Sequence, residues 1–346
     1  MMKHTFKRIF TLCLCALMLL GCMTACATGS APEPTVAGPT EPASQAKVLK
    51  ILTLGHSLAV DCGHMMNMIL ATEGIGDYEE VVIATLYYSG CPLYKHVNFL
   101  TNNSPEYDLY LSSTKTPDAP PTIMNNVTML DALKFDYWDI IVMQGGVFEI
   151  AESETFTDGK IQIIQEYVNE NKLNPLAYFA WHMPWATPTD NELRDKYPNT
   201  PNTYYSSYEK YGDERTNFYN GITKCVGDHI VTDESFRFLI PSGTAIENAL
   251  SSYLEEKDLH RDYAHASDLG RVIASYTWYC KLMGVEQLDS IKLDAIPKGF
   301  LKSTEDKSQD RVLTDMEKAI ILESVNNALK NPLQMTQSQY TEAPAQ

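Results

Sequence analysis

The sequence predicts an α/β fold: a mostly parallel sheet of about five strands with helices on both faces, three layers in all. Two observations predict it. Short apolar runs recur along the chain without the strict alternation of a half-wetted strand, which is the pattern of strands buried on both sides. Between these runs lie stretches whose apolar residues return at helical spacing.

The elements follow in order. VLKILTLG (48–55) is a first strand ending in a tight turn, and Ser57 to Ala71 carries Leu58, Met65, Met68 and Ile69 on one helical face. EEVVIATLYYS (79–89) is a second strand, and YWDIIVMQGG (137–146) is a third that runs into a glycine pair. Between them residues 94–130 form a polar, aromatic insertion with a strand-like YDLYLSS at 107–113. KIQIIQEYVNENK (160–172) is an amphipathic helix, and PLAYFAW (175–181) is the fourth strand. A second insertion, 185–213, is polar, rich in tyrosine and too long for a simple connection, so it reads as a lid or substrate-contacting loop. A helix over about 214–228 and a fifth strand at 235–243 (SFRFLIPSG) come next. Residues 266–284 form a helix with Leu269, Ile273, Tyr276 and Cys280 on one face, 313–330 a closing helix, and 333–346 a polar tail. The folded domain is therefore expected over 47–332.

The segment ahead of that domain reads as an address. In residues 1–26, Lys3, Lys7 and Arg8 precede an apolar run from Ile9 to Leu20 that is too short to cross a bilayer comfortably, the pattern of a secretory leader. It ends in Leu19-Leu20-Gly21-Cys22, which resembles a bacterial lipobox, and Met23-Thr24-Ala25-Cys26 is a weaker second match. The expectation is a lipid on Cys22 or Cys26 that anchors an exported protein to the bacterial cell membrane. Residues 27–46 are Ala, Pro, Thr, Gly and Ser with almost no bulky apolar side chain, a tether.

Charge and cysteine content narrow the function. Forty-four acidic against twenty-seven basic residues give a formal charge of −17, and the leader holds basic residues only, so the exported part is more acidic still. A surface of that kind lacks the basic face that phosphate neutralisation needs, which argues against nucleic acid as a partner. Four of the eight cysteines lie in the leader, leaving Cys62, Cys91, Cys225 and Cys280, too few for a disulfide scaffold. No CxxC pair occurs, and His56, Cys62 and His64 lack the spacing of a structural zinc site, so neither metal nor cofactor is expected.

In a parallel α/β sheet the ligand site lies at the carboxyl ends of the strands. There stand Gly55-His56-Ser57-Leu58, Gly90-Cys91 and Gln144-Gly145-Gly146, and Asp262-Tyr263-Ala264-His265 precedes the last major helix but one. In this order the residues resemble the SGNH or GDSL hydrolase superfamily, serine esterases and lipases on a flavodoxin-like sheet. Gly55-His56-Ser57-Leu58 is similar to the first motif with its Asp replaced by His, Gly90 to the glycine of the second, and Asp262-x-x-His265 to the DxxH of the fifth. The texts SGCPLYKH, DYWDIIVMQ and IPSGTAIENA resemble an uncharacterised lipoprotein branch of it.

The resemblance implies acyl transfer. Serine needs a base to take its proton as it attacks, histidine suits that task at neutral pH, and a carboxylate orients the ring and stabilises the imidazolium. It assigns Ser57 as nucleophile, His265 as base and acid, and Asp262 as orienter; His260 is the nearest rival base. The oxyanion donors implied are the N–H groups of Ser57 and Gly90. The family's third donor, an asparagine of a GxND motif, is missing, and Gln144 is the nearest amide that could take its place. His56, Trp181 and His182 are candidates for substrate contact, with the tyrosines at 204, 205, 208 and 211 behind them. Cys62, about one turn past Ser57, and Cys91, beside Gly90, are disulfide candidates if their Cα atoms lie close enough. The reading is an exported, lipid-anchored serine esterase acting on a small-molecule or glycan ester; the alternative is a non-catalytic glycan- or solute-binding lipoprotein on the same fold, which the missing asparagine favours.

Overall fold

The computed structural model describes residues 47–147, 149–189, 211, 214–296 and 310–344. The leader and tether, with Cys22 and Cys26, lie outside the described residues, as do Tyr204, Tyr205 and Tyr208 and most of the second insertion.

Strand β1 (Val48–Gly55) is central because it is apolar on both faces: Ile51 points into the core on one side of the sheet and Leu52 into the core on the other. It pairs in parallel with β2 (Glu80–Tyr87) and β5 (Ile140–Met143), and β6 (Tyr178–His182) and β7 (Phe236–Ile240) extend the parallel run beyond β5. The first insertion adds β3 (Tyr107–Ser113) antiparallel to β2 and β4 (Thr122–Val127) antiparallel to β3. The sheet therefore has seven strands in the order β4-β3-β2-β1-β5-β6-β7 rather than about five, the extra two being a hairpin on its β2 edge.

One face is covered by α1 (Ser57–Glu73), α7 (Ser242–Leu250), α9 (Asp268–Met283) and α10 (Asp315–Lys330). The other carries α2 (Leu93–Asn102), α3 (Met129–Phe135), α5 (Lys160–Asn171) and α6 (Arg215–His229), with the short α4 (Ser153–Thr157) between α3 and α5 in the chain. A further short helix, α8 (Glu256–Leu259), leads into the loop before α9. Helix α1 is held to the sheet by Leu58, Met65 and Ile69, all fully buried, each contributing about 1.5–3 kcal/mol. The first insertion is thus a helix and a hairpin rather than an irregular excursion. The polar segment 333–344 docks rather than trailing: Thr336 N–H donates to Asn248 Oδ1 at 2.7 Å, and Tyr253 N–H to the Tyr340 carbonyl at 2.9 Å.

This topology brings the turn after β1, the turn after β2, the glycine pair after β5 and the segment after β6 to the same carboxyl edge.

Candidate active site

Helix α1 starts abruptly at that edge. Its N-cap is His56, in extended backbone, whose Nδ1 accepts from the Leu58 N–H at 3.4 Å while Nε2–H donates to the Gly145 carbonyl at 3.0 Å. The histidine fills the role that Asp, Ser or Thr usually fill at a helix start. It is fully buried, and burial holds its pKa down to about 4, against the opposing pull of the Gly145 hydrogen bond. His56 is therefore a neutral cap, and its expected contact with substrate is corrected.

Ser57 stands at the first helical position, half-buried, with its hydroxyl 2.8 Å from His265 Nε2. His265 Nδ1 lies 2.9 Å from each oxygen of Asp262. The spacing of DxxH works through a local turn: Asp262 Oδ1 also accepts the backbone N–H groups of Ala264 (2.9 Å) and His265 (2.8 Å), which folds the ring back onto its own carboxylate. Burial pushes the Asp262 carboxyl up, but the hydrogen bonds from His265 and Ala264 outweigh it and take the pKa to about 2. An ionised carboxylate only accepts, so the proton sits on His265 Nδ1 and Nε2 is left to accept from Ser57. His260, by contrast, is buried with Nδ1 on the Glu256 carbonyl at 3.1 Å, and has no contact with Ser57.

The loop carrying Asp262 and His265 is clamped. Trp185 Nε1–H donates to the Ala264 carbonyl at 2.8 Å from a fully buried ring. Asp61, one turn beyond Ser57, accepts from Arg261 Nη1 (3.1 Å to each oxygen), from Arg271 Nε and Nη2 (2.9 and 2.7 Å) and from the Ala266 N–H (3.1 Å). Arg261 Nη1 donates in addition to the Ala266 carbonyl. Burial raises the Asp61 carboxyl, and the two guanidinium groups more than reverse it, holding it below the usual carboxylate range. One carboxylate on α1 thus grips both sides of the Asp262–His265 loop. These residues escaped the sequence reading, although an aspartate one turn past Ser57 and an arginine inside the apolar stretch of α9 were visible signals.

Gly90 has φ +58°, a left-handed conformation natural to glycine, and a side chain there would meet nothing within 4 Å. Neither its N–H nor that of Ser57 donates to a described residue. Gln144 is buried: its Oε1 accepts from His182 Nδ1 at 2.8 Å, and its Nε2 has no partner among the described residues. Gly55 makes room for this amide, since a Cβ there would fall 2.8 Å from Gln144 Nε2. Behind it, His182 Nε2 lies 4.0 Å from the Cys62 thiol, which burial keeps protonated, and burial with the neighbouring His56 lowers the His182 pKa to about 3.

Two expected substrate contacts are thus corrected. His182 is fully buried and holds Gln144 instead, and Trp181 is fully buried against Phe156 and Phe236, because alternation along β6 turns it into the core of the opposite face. Tyr211 bonds the Ala151 carbonyl at 2.9 Å. Cys62 and Cys91 are free thiols in separate halves of the core, so no bridge joins them.

A family model described as Domain of unknown function (DUF4886) matches residues 50–298. No curated protein matches the chain. Among solved structures, a DUF4886 family protein from Bacteroides uniformis is similar with a TM-score of 0.66 at 20% identity, over 86% of this chain and 100% of that one, which shows a shared fold. Structural neighbours also include a candidate SGNH hydrolase from Slackia heliotrinireducens (TM-score 0.39, 17% identity, 67% of this chain and 97% of that one). A lipase from a goat rumen metagenome is a third (TM-score 0.36, 12% identity, 68% and 97%).

Proposed function

The chain belongs to the DUF4886 family, and we propose that it is a serine esterase of the SGNH type. The observation that carries this reading is the continuous relay from the Ser57 hydroxyl through His265 to the Asp262 carboxylate, 2.8 Å and 2.9 Å long at its two joints. As Ser57 Oγ bonds to the ester carbonyl carbon, its proton passes to His265 Nε2, and Asp262 stabilises the imidazolium. The negative charge on the former carbonyl oxygen is met by the N–H groups of Ser57 and Gly90 and by the amide of Gln144. An unpartnered buried amide N–H costs about 1–3 kcal/mol, and a site that makes use of it in the transition state accounts for keeping it. Collapse breaks the bond to the alcohol oxygen, which takes the proton from His265. Water, deprotonated by His265, then attacks the acyl-enzyme and frees the acid and Ser57.

The substrate proposed is an acyl ester, an acylated carbohydrate in particular, and the enzyme is proposed to be exported and anchored by a lipid on Cys22 or Cys26. A chromogenic acetyl ester and a fluorophosphonate probe test the chemistry. Wild type is expected to hydrolyse the ester and to be labelled, and Ser57→Ala to do neither; a folded wild type that takes no label refutes the proposal.

A further inference from the structure

The Gln144 amide can serve acyl transfer in only one of its two orientations. With its nitrogen outward it donates to the oxyanion; with its oxygen outward it repels the same charge. The two orientations have nearly the same shape, so packing alone does not decide between them and a hydrogen-bonding neighbour must.

His182 is that neighbour. It ends β6 one step past the Met143–Trp181 pair, which brings its ring beside Gln144, and its Nδ1 lies 2.8 Å from Gln144 Oε1. Burial, with the nearby His56, keeps the imidazole neutral at a pKa of about 3, so it carries a single N–H. On Nδ1 that hydrogen holds the Gln144 oxygen inward. On Nε2 it would leave Nδ1 to accept from the Gln144 nitrogen, and the amide would turn over. The tautomer of His182 therefore sets the orientation of Gln144. On the far side of the ring Nε2 faces the Cys62 thiol at 4.0 Å, and burial keeps that thiol protonated and able to donate. Trp185 and Trp278 meet the ring edge to face, with centroids 6.5 and 4.9 Å away, and hold it in place. The hydrogen bonds then run one way, from Cys62 S–H to His182 Nε2 and from His182 Nδ1–H to Gln144 Oε1, leaving the Gln144 nitrogen over. That nitrogen has no partner among the described residues and lies against Gly55, two residues before Ser57, where a Cβ would fall 2.8 Å from it.

We propose that His182 is a positioning residue for acyl transfer, holding the Gln144 nitrogen toward the oxyanion, and that Cys62 sets the tautomer with which it does so. This role rests on the esterase reading and is exerted wholly through Gln144, without contact with substrate.

The test is a double-mutant cycle on the mature chain, read with a chromogenic acetyl ester. Gln144→Ala and His182→Leu should each lower kcat by about 10²-fold with KM within about twofold of wild type. The double variant should be no slower than Gln144→Ala, since His182 then has nothing left to hold. Two polar replacements carry the test even where His182→Leu does not fold. His182→Asn keeps an N–H where Nδ1 was and should recover most of the loss, whereas His182→Gln carries its nitrogen where Nε2 was and should not. Cys62→Ser, which still donates, should turn over faster than Cys62→Ala. A histidine kept only for structure gives another pattern: kcat and melting temperature fall together, Asn and Gln serve equally badly, and the loss persists on the Gln144→Ala background. In a wild type whose Ser57 takes the fluorophosphonate label, that pattern overturns the proposal, and equal rates in the two Cys62 variants overturn the part given to Cys62. A folded wild type that takes no label overturns the esterase reading, and the role of His182 with it.

Discussion

Replacing Asp61 with alanine removes the carboxylate on which the loop carrying Asp262 and His265 is hung. Arg271 is 3% exposed and has Asp268 at 3.9 Å, so the variant leaves its buried guanidinium without the carboxylate at 2.7 Å. Breaking a buried pair from one side costs about 3–5 kcal/mol, which for a domain of this size lowers the melting temperature by roughly 5–8 °C. The loss is also local, because the Ala266 N–H and Arg261 both let go of α1, one turn from Ser57. A drift of His265 by about 1 Å is worth about 10²-fold in rate, so fluorophosphonate labelling of Ser57, measured at a temperature where the variant is folded, should slow by that order. Asp61 is held below its ordinary pKa in the fold, so its stabilising contribution is fully present above about pH 4 and fades as the pH falls further. Melting curves of wild type and Asp61→Ala should therefore converge in acid. A variant that melts within about 1 °C of wild type at pH 7 and labels at the wild-type rate refutes this account of the clamp.

Asp262→Asn should leave the turn in place but lower kcat toward a chromogenic ester by about 10⁴-fold, since the orienting anion is lost. Because the Asp262 pKa falls from 3.8 to about 2 in the fold, it stabilises the native state by about 2 kcal/mol above pH 4, and this is lost as the pH drops through 2; acid unfolding followed by circular dichroism should be less steep in the variant. Gly55→Ala places a methyl group 2.8 Å from Gln144 Nε2 and 3.0 Å from the Ala59 Cβ, and should cut kcat by about 10²-fold by displacing the third oxyanion donor, with KM little changed; an unaltered kcat removes Gln144 from the mechanism. Mass spectrometry of the exported protein should find a diacylglycerol-modified cysteine at residue 22 or 26, and a free, unacylated N-terminus refutes the anchor.

What could be read in the chain, and what could not, divides along a physical line. Five strands were legible because each reads as a short, largely apolar run, buried on both faces in β1, β5 and β6 and kept in the edge strand β7 despite its exposed Arg237. The edge strand β4 was not: it is exposed along most of TIMNNV, and only its pairing with β3 makes it a strand. Helix α2 escaped because one of its buried positions is His96, whose Nδ1 pairs with the Tyr107 hydroxyl at 2.8 Å, so a polar residue stands where apolar periodicity would look for a hydrophobe. The same limit governs the site. Asp262 and His265 lie three residues apart, and one turn brings their side chains together, so their partnership is local and visible. Trp181 and His182 looked like a saccharide platform because aromatic rings at a strand end can serve as one; which face each ring takes depends on a register that the sheet alone sets. Asp61 and Arg271 are an intermediate case. A charge inside an apolar helix announces that it needs a partner, since an unpaired buried charge is very costly, but the partner lies 210 residues away, and only folding identifies it.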